Sequence, residues 1–170
     1  MKIQRFFDQI EMIGRHFDYI FLDMGAGATK SSMQFITAAN EIFVVTTPEP
    51  TSITDAYAMV KYIHLNDKNV PIHLIVNRAE SGQEAKETQV NFRRVTVQFL
   101  KKDLTSLGYI PYDARVTKSV KAQKPFLLLY PQTKASRSMM QMATTYLGLE
   151  DASPTKFGHF LKKMKLLIKK

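Results

Sequence analysis

Four short apolar runs, separated by helical patterns, constrain this chain more than any other feature. They are FDYIFLD (17–23), EIFVVTT (41–47), PIHLIVN (71–77) and GYIPY (108–112). Their apolar residues fall at successive rather than alternate positions, so strands formed there must bury both faces. Helical patterns lie between them: SSMQFITAAN (31–40), TSITDAYAMVKYIHL (51–65), a polar-amphipathic stretch over 83–106, and 134–148. This alternation predicts an α/β fold, a mostly parallel sheet with helices on both faces. Right-handed crossovers would gather the strand C-terminal ends on one edge, where such sheets bind ligands. Asp23, Thr46, Thr47, Asn77 and Tyr112 stand at those ends. The helix at 51–65 has Thr51 and Ser52 as candidate caps after Pro50, and Asp55 completes a capping-box spacing from Ser52.

The start, MKIQRFFDQIEMIGRHF, mixes acids with apolar residues and reads as an amphipathic helix rather than a signal peptide. No apolar run approaches the ~20 residues that a membrane span needs. Cysteine is absent, which excludes disulfides, thiolate zinc sites and a cysteine nucleophile. His16, His64, His73 and His159 are scattered in no metal-binding spacing and read as surface or half-buried residues.

The net charge of +9 is unevenly placed. Residues 156–170 hold six lysines and no acid, while the rest of the chain sets 18 basic against 15 acidic side chains. A near-neutral domain with a cationic end does not read as a nucleic-acid binder. Domain organisation follows: 1–148 as one α/β unit, LEDASPTK (149–156) as a linker, and 157–170 as a basic amphipathic helix. At ~100° per residue, Phe157, Phe160, Leu161, Met164, Leu167 and Ile168 share an arc of roughly 120°. Lys162, Lys165 and Lys169 lie opposite, with Lys163 and Lys170 flanking and Leu166 off the stripe. Such a helix either lies in an anionic membrane interface or docks on its own domain with its lysines in solvent.

GAGATKSS (25–32) imitates a phosphate loop but is not one. A Walker-A loop needs glycine directly before its lysine, and here Thr29 precedes Lys30. Lys30 reads as an ordinary loop or helix-start lysine. An apolar strand ending in Asp23, followed by Gly25 and Gly27, instead has the shape of a Walker-B strand entering a switch loop. Asp23 would then hold Mg²⁺, a hard cation that takes oxygen ligands. The alternative is a tight turn with Asp23 as a helix cap. Asn77, at a strand end in IVNR, offers the donor and acceptor that a purine edge requires, although asparagine is also a common turn residue.

Taken together, FDYIFLDMGAG, AANEIFVVTTPEPTSITDAYAMVKYI, LIVNR and IPYD resemble the MinD/ParA-type deviant P-loop ATPases in order and spacing. TTPEPTSITDAYAMVK is most similar to the FlhG (YlxH) branch, which regulates flagellar number. The resemblance runs from about Phe17 to Leu147. It implies ATP and Mg²⁺ as cofactors, an ATP-dependent face-to-face homodimer, and docking to the inner face of the cytoplasmic membrane through the C-terminal helix. It assigns Asp23 to the Walker-B aspartate and Gly27 to the switch loop. Asn77 with Arg78 matches the base-contacting strand end, and Pro111 with Asp113 matches the loop bordering the base. The flagellar GTPase FlhF and switch-complex proteins are the implied partners.

The resemblance is incomplete at the N-terminus. The family's phosphate loop and switch-I aspartate precede the equivalent of Phe17, and no G-K-[ST] occurs anywhere in the chain. The expectation is the C-terminal part of an FlhG-like protein (a truncated product, a fragment or a mis-assigned start) that does not hydrolyse ATP alone. The alternatives are a non-enzymatic membrane- and protein-binding remnant, a MinD-like division-site protein and a ParA-like DNA-associated protein.

Overall fold

The computed structural model describes residues 2–24 and 30–149, with side chains from 8–24 and 33–149. Gly25, Gly27, most of the expected linker and the expected 157–170 helix lie outside the described residues. Contacts divide the chain into two units, Met1–Gln34 and Phe35–Lys170.

In the first unit, α1 (Lys2–Gly14) is the expected amphipathic helix, ending beside an exposed Arg15–Glu11 ion pair at 2.8 Å. FDYIFLD, expected as a strand, is not one. Residues 17–24 join no ladder, and Phe17 and Phe21 are 64% and 72% exposed. A strand is completed by a neighbour that takes its backbone N–H and C=O groups, and no described strand is registered against this segment. Lys30, the first described residue after 24, is helical and belongs to α2 (Lys30–Ala38).

The second unit is a three-stranded parallel sheet of order β1 (Ile42–Thr46), β2 (Ile72–Ala79), β3 (Thr105–Pro111). α3 (Pro50–Asn66) and α4 (Gly82–Leu100) connect these strands, as parallel neighbours require. On one face, Val44, Ile72 and Leu74 pack with Ala56, Val60 and Ile63 of α3 and Phe92 of α4. On the other face, Phe43 stacks on its register partner His73 at 5.2 Å, and Tyr146 meets both rings edge-on. Tyr146 belongs to α7 (Lys134–Tyr146), so helices cover both faces as expected. Two short helices, α5 (Ala114–Lys121) and α6 (Phe126–Leu129), were not foreseen from the sequence. No described helix is long and apolar enough to cross a membrane.

The capping of α3 differs from expectation. Glu49 is the N-cap, Pro50 takes the first turn where its missing N–H costs nothing, and no side chain caps the helix. Ser52 lies inside the helix. Its Oγ accepts from Thr47 N at 3.0 Å and lies 3.0 Å from Thr46 Oγ1. The strand-end position of Thr47 N–H favours this bond over a capping box, and it ties the end of β1 to α3.

Candidate functional site

The C-terminal strand ends of the second unit converge on one edge, and the backbone there is irregular. Between β2 and β3 the register runs Asn77↔Ile110 and then Ala79↔Pro111, leaving Arg78 as an extra residue. Arg78 has φ +60°, the left-handed region that non-glycine residues seldom adopt. A bulge of this kind re-aims one side chain out of the ladder. Here it leaves the Arg78 side chain exposed on a cavity of about 350 Å³ lined also by Pro48, Glu49, Glu80, Glu84 and Tyr112. Beyond the bulge, Tyr112 N donates to Ala79 O at 2.8 Å, which holds the two strand ends together.

Local chemistry fixes the surrounding groups. Arg78 N donates to Asn77 Oδ1 at 2.9 Å, so one lone pair of that amide is committed and its Nδ2 donors remain. Ser81 is the N-cap of α4, accepting from Glu84 N at 3.1 Å, while Glu84 Oε2 accepts from Glu80 N at 2.7 Å. This is a near relative of the capping box, with the glutamate reaching one residue further back. Asp113 is the N-cap of α5, accepting from Arg115 N at 2.9 Å. Pro111 closes β3. Asn77, Arg78, Pro111 and Asp113 are therefore brought to one edge, with Arg78 alone of the four lining the cavity. Sequence reasoning missed Glu49, Glu80 and Glu84. The S-x-x-E spacing at Ser81–Glu84 was the available signal for the last of these.

With three glutamates and one arginine, the cavity carries more negative than positive charge. It suits a neutral ring bearing hydrogen-bond donors better than a polyphosphate. Asp23 is exposed in the first unit. Among the described residues no group of three acidic or histidine side chains is placed to hold a metal ion.

A parallel sheet between helices, with its strand C-terminal ends gathered on one irregular edge, is the architecture of an open α/β protein. The ParA family model, described as NUBPL iron-transfer P-loop NTPase, matches residues 1–147, and the chain belongs to this ParA/MinD-type family. The match extends over α1, ahead of the motifs that begin at Phe17. The chain is 36% identical over 141 residues to the antiactivator FleN of Pseudomonas aeruginosa, covering 83% of this chain and 49% of that protein. It is 32% identical to the flagellum site-determining protein YlxH of Helicobacter pylori, covering 74% of this chain and 42% of that protein. Among solved structures, MinD of Aquifex aeolicus superposes with TM-score 0.65 at 24% identity, over 83% of this chain and 58% of that one. The chain spans about half the length of the curated relatives it matches.

Proposed function

We propose that this chain forms part of an FlhG-like, ATP-dependent, membrane-associated switch that regulates flagellar number and placement. The observation that carries the reading is the meeting of Asn77, Arg78, Pro111 and Asp113 at one strand-end edge of a ParA/MinD-type fold. The similarity to FleN and to the flagellum site-determining YlxH supports the flagellar branch. In this reading the edge takes the base of ATP. Asn77 Nδ2 donates to a ring nitrogen, the Arg78 guanidinium stacks on or flanks the ring, and Pro111 and Asp113 border it. Asp23 associates with Mg²⁺, and Gly27 approaches the terminal phosphate. Bound ATP supplies the free energy that toggles a homodimer, and FlhF and switch-complex proteins are the partners. The 157–170 segment places the protein on the inner face of the cytoplasmic membrane, each lysine contributing about 1 kcal/mol near an anionic surface.

Titrating the full chain with a fluorescent adenine nucleotide tests the base site. Asn77→Ala should weaken binding about tenfold, the cost of one good hydrogen bond in a desolvated site. Equal affinity of the variant and the parent chain would remove Asn77 from the base site. Sedimentation with anionic vesicles tests the tail, where Phe160→Glu should abolish binding.

A further inference from the structure

Ala114 to Leu149 is a run of 36 residues without an aspartate or glutamate, and it carries Arg115, Lys118, Lys121, Lys124, Lys134 and Arg137. Four of these six lie on α5 and the turn that follows it. All four are exposed, and none makes an ion pair among the described residues. Ser119 is the buried residue of α5, and at about 100° per residue Lys118 and Lys121 turn away from it toward solvent. Val120 on the same helix is 70% exposed.

Helix stability explains only part of this pattern. The helix dipole favours Lys118 and Lys121 in the last turn, but it opposes Arg115 in the first turn and does not reach Lys124 beyond the end. The fold therefore keeps a cationic ridge that its own packing does not use. The cavity beside Arg78 has no α5 residue in its lining, so the ridge stands apart from the candidate base site. The cationic bias also continues past the ridge. From Ala114 to Lys170 the chain holds twelve Lys and Arg residues against two acids, Glu150 and Asp151.

We infer that the exposed α5 ridge is a second membrane contact, in which the folded domain itself rests on anionic lipid headgroups. A row of long, pliant, unpaired cationic side chains suits a fluid surface that demands charge but no matching shape. This rests on the membrane-associated reading above and adds that the domain, not only the terminal segment, touches the bilayer. Two weak contacts on one chain reinforce each other and fix which face of the domain meets the lipid.

The test uses the full chain and vesicles of phosphatidylcholine with phosphatidylglycerol, against phosphatidylcholine alone. Lys118→Gln/Lys121→Gln should bind the anionic vesicles about thirtyfold more weakly at low salt, and the difference should shrink as salt is raised. Unchanged binding overturns the inference, whatever Phe160→Glu does. If Phe160→Glu binds like the parent while the lysine variant does not, the tail reading fails and the α5 contact stands. A variant that loses affinity for duplex DNA or polyglutamate, yet keeps its affinity for vesicles, also overturns it. Should the first substitution disturb α5 as judged by circular dichroism, Arg115→Gln/Lys124→Gln replaces it with the first pair intact. That variant should also bind anionic vesicles more weakly, and its unchanged binding would overturn the inference equally.

Discussion

Arg78 carries an unfavourable backbone conformation in the middle of the candidate site. Its φ of +60° is held by the bulge, by the Asn77 Oδ1 bond at 2.9 Å and by the Tyr112–Ala79 bond beyond it. Strain kept at the proposed base edge is consistent with use of the side chain rather than with stability. Arg78→Gly should therefore raise stability by up to about 1 kcal/mol while weakening nucleotide binding. Thermal unfolding with and without nucleotide checks both signs, and a destabilised variant would mean that the arginine side chain supports the fold. Lys102 shows the opposite use of a cation. It is buried, and its Nζ donates at 2.7 Å to both Lys68 O and Val70 O, stapling the loop before β3 to the loop before β2. Its position next to Lys101 in the sequence gives no sign of this difference, because burial depends on the partner loop.

At the scale of elements, α7 depends on β3 lacking a side chain at one point. Gly108 has φ +149°, and a Cβ there would lie 2.6 Å from Met142 Cγ. Gly108→Ala should cost about 3 kcal/mol through backbone strain and overpacking, seen as a lower denaturation midpoint. Met142→Ala in the same chain should recover part of that loss by relieving the contact. The C-terminal half of α4 is tied to the loop before β3 by Arg93, whose Nε and Nη2 lie 2.5 and 2.6 Å from the two Asp103 carboxylate oxygens. The hydrogen bonds from Arg93, aided by its charge, hold the Asp103 carboxyl below the usual value. A depressed folded-state value contributes stability above the ordinary carboxylate range, and this is lost as pH falls through the folded value. Asp103→Asn should therefore lower the melting temperature at neutral pH, and the gap should close in acid. Because both side chains are well exposed, the gap should also shrink with added salt.

For the whole molecule, catalysis is the property that the described chain does least to explain. Its edge carries groups suited to a base, but no G-K-[ST] loop is present to cradle phosphates, and such loops supply much of the transition-state stabilisation in phosphoryl transfer. The chain alone should release no phosphate from ATP above background. Turnover that disappears in Asp23→Ala would contradict this. What the sequence determined by itself is the alternation of elements. The runs at 41–47 and 71–77 became β1 and β2 and that at 108–112 most of β3, while the stretch expected as helical over 83–106 ends as α4 at Leu100 and gives β3 its first residues from Thr105, because two-faced apolar runs are buried between helices. It also carried the family, through motifs whose order survives without a fold. Three features were decided only by tertiary structure. FDYIFLD has strand composition but no ladder, because hydrogen-bond partners are supplied by other segments. Ser52 serves the end of β1 rather than the start of its own helix. Arg78 leaves the ladder at a bulge that no local pattern marks, since register is a relation between two strands and not a property of either one.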